Sequence, residues 1–118
     1  MKIIFALNQD TTKADMAKIH AAFPGKSIQH LSGVYSGESE NSYCIEGDRE
    51  TLAQVLVLTQ QHNQESILIV SDSGKAGLLF CDSGEFQKLS GIWQEVEQSM
   101  TKYLDAYSES NGKYYAVI

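Results

Sequence analysis

The chain has 118 residues, 42% of them hydrophobic, with one proline and nine glycines; this fits one domain spanning 1–118 and excludes a disordered, collagen-like or two-core protein. Nine Lys and Arg against fifteen Asp and Glu give a net charge of −6, which opposes generic binding to a phosphate backbone. No apolar run reaches the ~18 residues of a bilayer span, the N-terminus turns polar too soon for a secretory signal, and Cys44 and Cys81 lack CxxC spacing, so a cytoplasmic protein with reduced thiols and no required nucleic acid or membrane is expected.

The opening KIIFAL is a strand-sized apolar run, followed by NQDTTK, where Asp10, Thr11 or Thr12 can cap a helix by accepting a backbone N–H bond. In ADMAKIHAAF, Met16, Ile19 and Phe23 recur at helical spacing, His20 falls near the packed face, and Pro24–Gly25 ends the element. SIQHLSGVYSGESENSYCIEGD then holds two strands, 28–35 and 41–46, joined by a polar glycine-rich connection. Asp48 is the predicted N-cap of RETLAQVLVLTQQHN, whose stripe is Leu52, Val55, Leu56 and Thr59. SILIV and GLLFC read as strands around a tight turn containing Gly74.

These elements read β-α-β-β-α-β, which predicts an α/β protein: a ferredoxin-like or PII-like sandwich with both helices on one sheet face and a C-terminal extension. The other face needs a cover, either the C-terminal region or a second subunit. In the extension, Trp93, Val96, Met100, Tyr103 and Tyr107 are spaced for a short amphipathic helix, and YSES-NG-KYYAVI carries a type I′ hairpin signal.

No dinucleotide, P-loop, HExxH, EF-hand or serine-hydrolase motif occurs, and His20, His30 and His62 lack metal-ligand spacing, so neither a metal nor a cofactor is called for. Burial as small hydrophobes accounts for Cys44 and Cys81. Residues 31–50 set Glu38, Glu40, Glu46, Asp48 and Glu50 against Arg49 alone, a local negative centre suited to a cationic ligand. Within it, GVYSGESENS offers Tyr35 as a rigid aromatic handle between Gly33 and Gly37, with Glu38 and Glu40 able to hold an amino group or hydroxyls; a solvated hairpin is the competing reading. Glu65, flanked by Gln64 and Ser66, stands at the entrance to ILIV, where it is either a cleft carboxylate or a strand cap.

GVYSGESENSYCIEG, followed by LAQVLVLTQQHNQESILIVSDSGKAGLLFCDSGEFQKLSGIWQEV, resembles the bacteriophage S-adenosylmethionine lyase family, formerly described as S-adenosylmethionine hydrolases, over residues 31–96. The resemblance implies a lyase that converts S-adenosyl-L-methionine into 5′-methylthioadenosine and L-homoserine lactone in an infected bacterial host, depleting the methyl donor and opposing restriction-modification. It implies a homotrimer related to PII-like proteins, with active sites between subunits. Tyr35, Glu40 and Glu65 are then the candidate catalytic residues, and Tyr35, Glu40, Glu46, Gln64, Glu65 and Ser66 the candidate substrate contacts, with the choice among the carboxylates open. The alternative is a noncatalytic PII-like nucleotide-binding or antirestriction interaction protein.

Overall fold

The apolar opening segment becomes β1 (Lys2–Phe5) in a computed structural model that describes residues 1–9 and 11–118. Helix α1 (Thr12–Ala22) is capped by Thr11, whose Oγ1 accepts the Ala14 N–H at 3.0 Å. Thr12 is its first helical residue, and Asp10 lies outside the described residues. Met16, Ile19 and Phe23 pack against the sheet, whereas His20 is exposed, not near the packed face.

Strands β2 (Ile28–Tyr35) and β3 (Glu38–Glu46) follow, then α2 (Arg49–Gln61), capped as expected by Asp48, which accepts the Thr51 N–H at 3.0 Å. β3 begins at Glu38, so most of the supposed connection is itself paired strand. The chain continues through β4 (Ser66–Val70), β5 (Lys75–Phe80) and β6 (Phe86–Val96), a 3-10 helix (Gln98–Tyr103), β7 (Ala106–Ser110) and β8 (Lys113–Val117).

The strands form one closed antiparallel barrel in the order β1-β3-β2-β7-β8-β6-β5-β4, with β4 returning to β1. This corrects the expected α/β ferredoxin-like or PII-like sandwich. The chain order β-α-β-β-α-β does occur over residues 2–70, but β4-β1-β3-β2 is not an open sheet. β5 extends it beyond β4, and Ser32–Tyr35 of β2 pair with Ala106–Glu109 of β7, so the C-terminal strands join its two free edges. Closure removes edges that would otherwise expose unpaired N–H and C=O groups.

Alternation along the strands then supplies two cores. Ile3, Phe5, Tyr43, Ile45 and Ile67 face outward beneath Ile19 and Phe23 of α1 and Val55 and Leu58 of α2. Ile4, Leu31, Cys44, Val70 and Ala76 face inward with Leu68, Leu89, Trp93 and Val117. The second face of the β4-β1-β3-β2 sheet is thus covered by the chain's own C-terminal strands, which removes the bare-face argument for a second subunit.

The helix expected across Trp93–Tyr107 does not form. Trp93 and Val96 lie in β6, Met100 and Tyr103 in the 3-10 helix, and Tyr107 in β7. Trp93 instead stacks on Tyr115 across the β6–β8 ladder, with ring centroids 5.6 Å apart and planes inclined by 2°. Cross-strand aromatic packing and the ladder hydrogen bonds outweigh a helical periodicity that three separate short elements happen to satisfy. The NG hairpin does form, with φ of 53° at Asn111 and 77° at Gly112, the type I′ signature.

Candidate active site

The β2–β3 hairpin turns in two residues, Ser36 (φ 50°) and Gly37 (φ 84°), a second type I′ turn. Pairing sets Tyr35 against Glu38 and Gly33 against Glu40. Gly33 is used for close approach: a Cβ there would sit 3.3 Å from the Glu40 carbonyl oxygen. Leu31 and Cys44 face the barrel interior, so period-2 alternation places Tyr35 and Glu40 on that inward face too, at the hairpin end of the barrel. Tyr35 is 72% exposed.

Gln64, Glu65 and Ser66 lie at the same end, where Asn8 joins them. Asn8, just beyond β1, adopts a left-handed conformation (φ 54°), which Asn tolerates better than most residues. Its Nδ2 donates to Glu40 Oε2 at 3.4 Å and to Gln64 Oε1 at 3.5 Å, so one amide spans β3 and the loop before β4. Gln64 is held in turn by its own Nε2 donating to the His62 carbonyl at 3.2 Å and its backbone N–H to the Thr59 carbonyl at 3.0 Å. Ser66 opens β4 beside it, and Glu65 is exposed, with its carbonyl accepting the Cys81 N–H.

Glu46 stands apart. It ends β3 at the opposite end of the barrel, where its Oε1 accepts from Lys2 Nζ at 2.6 Å; Glu46 keeps the Lys2 ammonium above its ordinary value. A cavity of about 630 Å3 opens there, lined among others by Lys2, Gln29, His30, Cys44 and Glu46. Burial pushes the Cys44 thiol up to about 11, the behaviour of a packing residue, not a nucleophile. Beside Glu40 the recess is smaller, about 260 Å3, walled by Ser32–Val34 and Ser39–Asn41. Among the described residues no three His, Cys, Asp or Glu side chains converge as a metal site, and no helix is long and apolar enough to cross a membrane.

Asn8 escaped sequence reasoning because a polar residue after a strand reads as loop; its link to Glu40 exists only once β1 and β3 pair. Asp15 escaped it as well: an acidic residue in a helix's first turn is ordinarily solvated, yet Asp15 is only 1% exposed and accepts the Tyr43 O–H at 2.5 Å.

A model of the S-adenosylmethionine lyase family matches residues 6–118, which takes in both Asn8 and the whole barrel after β1. The chain belongs to the S-adenosylmethionine lyase family. Membership extends the similarity well beyond residues 31–96, into α1 and the C-terminal strands. No curated protein sequence matches the chain significantly.

Proposed function

We propose that this member of the S-adenosylmethionine lyase family cleaves S-adenosyl-L-methionine to 5′-methylthioadenosine and L-homoserine lactone at the hairpin end of the barrel. The observation that carries the reading is the Asn8 amide joining Glu40 to Gln64 at the end of the barrel where the Tyr35 hairpin turns. In the reaction a substrate carboxylate oxygen attacks the substrate's own γ-carbon while the γ-carbon–sulfur bond breaks, its electron pair passing to sulfur. No proton moves in that step, and the sulfonium is already a good leaving group. Holding the methionyl chain folded is the larger part of the task.

The residues suit that task. The Tyr35 ring can meet the sulfonium through its face, Glu40 can hold the ammonium, and Gln64 supplies a neutral amide, with Glu65 and Ser66 next in line for the ribose or ammonium. Glu40 has no cation within ion-pair distance among the described residues; a lysine here would compete for the attacking carboxylate. Cleavage annihilates opposite charges, so the protein must guide the sulfonium without over-stabilising it.

The recess beside Glu40 is smaller than the roughly 300–1,000 Å3 usual for ligands of this size. Neither Tyr35, Asn8 nor Gln64 lines that recess and Tyr35 is exposed, so a substrate held by all of them needs further walls, which a neighbouring subunit of a homotrimer would supply. In an infected cell such an enzyme would remove the methyl donor on which restriction-modification depends.

Incubation with S-adenosyl-L-methionine in 18O-water should give equimolar 5′-methylthioadenosine and unlabelled L-homoserine lactone at early times. Early 18O-labelled homoserine would establish hydrolysis instead, and intact substrate would remove the enzyme reading.

A further inference from the structure

Asp15 is a buried carboxylate that the reaction does not use. It sits in the first turn of α1, near the positive end of the helix dipole, and is 1% exposed. Its Oδ2 accepts the Tyr43 O–H at 2.5 Å, and its Oδ1 accepts the Gln9 backbone N–H at 3.3 Å. No cation lies within ion-pair distance of it among the described residues. Burying a carboxylate is costly unless its hydrogen bonds are well met, so the two partners matter more than an ordinary surface contact would.

Those partners belong to the two elements the site must keep in register. Tyr43 is on β3, three residues from Glu40, and fully buried. Gln9 directly follows Asn8, which is exposed and has a left-handed backbone. One side chain therefore ties the connection carrying Asn8 to the strand carrying Glu40, from the outer side of the sheet.

We propose that Asp15 is a positioning residue for the site: by clipping Gln9 to Tyr43 it holds the Asn8 amide where it spans Glu40 and Gln64. This rests on the reaction occurring at the hairpin end. Asp15→Asn keeps the volume but loses one acceptor, and Tyr43→Phe removes one donor only.

The test is a double-mutant cycle in kcat/KM with a parallel measurement that needs no turnover. Asn8→Ala and Asp15→Asn should each lower kcat/KM roughly tenfold, and the double variant should fall about tenfold as well, not the hundredfold of independent sites. Glu40→Asn, combined with Asp15→Asn, should show the same lack of additivity. In 15N-labelled protein, Asp15→Asn and Tyr43→Phe should each shift the Asn8 side-chain amide resonances, while Lys88→Gln should not. Independent kinetic effects, or unmoved Asn8 amide resonances in folded Asp15→Asn protein, would overturn the proposal. A wild-type protein inactive on S-adenosyl-L-methionine would sink the functional reading instead, and the Asn8 resonances would still decide whether Asp15 holds that amide.

Discussion

Glu40 and Glu46 occupy the same face of β3, six residues apart, and so stand at opposite ends of the barrel, about 20 Å from one another along the strand. One meets Asn8 and, through it, Gln64; the other meets Lys2 and the N-terminal amine. Two glutamates of one acidic segment therefore serve unlike surroundings.

Glu40→Gln should lower kcat/KM for S-adenosyl-L-methionine by roughly tenfold or more, since a hydrogen bond to a charged group contributes about 1.5–3 kcal/mol. Glu46→Gln should leave turnover within about twofold, because an exposed ion pair contributes only ~0–1 kcal/mol, and that to stability. Steady-state kinetics on both variants check this; equal losses would place the reaction elsewhere.

The order of the strands and helices through residue 80 was legible from local rules, the Asp48 cap, a cap among Asp10, Thr11 and Thr12, and the turn at Gly74, although β3 begins three residues earlier than expected and the buried face of α2 takes in Thr51 and Leu58 beside Val55 and Thr59. Barrel closure was not, since the pairing of Val34 with Tyr107 leaves no mark on either segment. The Trp93–Tyr107 spacing misled because residues of two strands and the 3-10 helix between them happen to fall three and four apart. At the site, Tyr35 and Glu40 stood out by chemistry, and Asn8 and Asp15 did not, because their partners lie across the sheet.

Tyr43→Phe should cost about 1–3 kcal/mol of stability in urea denaturation, the usual penalty for removing a partner from a buried polar group. Burial, followed by the bond to Asp15, already pushes the Tyr43 hydroxyl well above its ordinary range. A change below about 0.5 kcal/mol would mean that solvent reaches Asp15 once the hydroxyl is gone.

Asp48 is held below its ordinary value of 3.8, first by the Thr51 backbone N–H and then by the Thr51 hydroxyl. A carboxylate lowered in the folded state adds stability above that ordinary value and loses it as pH falls toward the lower folded one. Asp48→Ala should therefore lower the Tm at pH 6, with the gap to wild type narrowing on acidification toward pH 3. A gap independent of pH would show that the cap acts without its charge.

Cys44 and Cys81 are both buried. Iodoacetamide at pH 7.5 should label neither in folded protein and both in urea, by intact mass, and the treatment should leave turnover unchanged. Rapid labelling of Cys44 without loss of structure would place that thiol in solvent.

The seam between β2 and β7 joins residues 32–35 to residues 106–109. Contacts so distant in sequence are slow to form, because a long loop must close before they stabilise anything. Tyr35 lies opposite Ala106 in that seam, and Ser36 donates its N–H to the Asp105 carbonyl at 2.7 Å. The hairpin carrying Tyr35 and Glu40 is thus fixed by a strand far along the chain from it. A nascent or C-terminally clipped chain could hold its helices on β1, β3 and β4 and still lack a competent site, so activity should emerge only with the final, topologically remote step of folding.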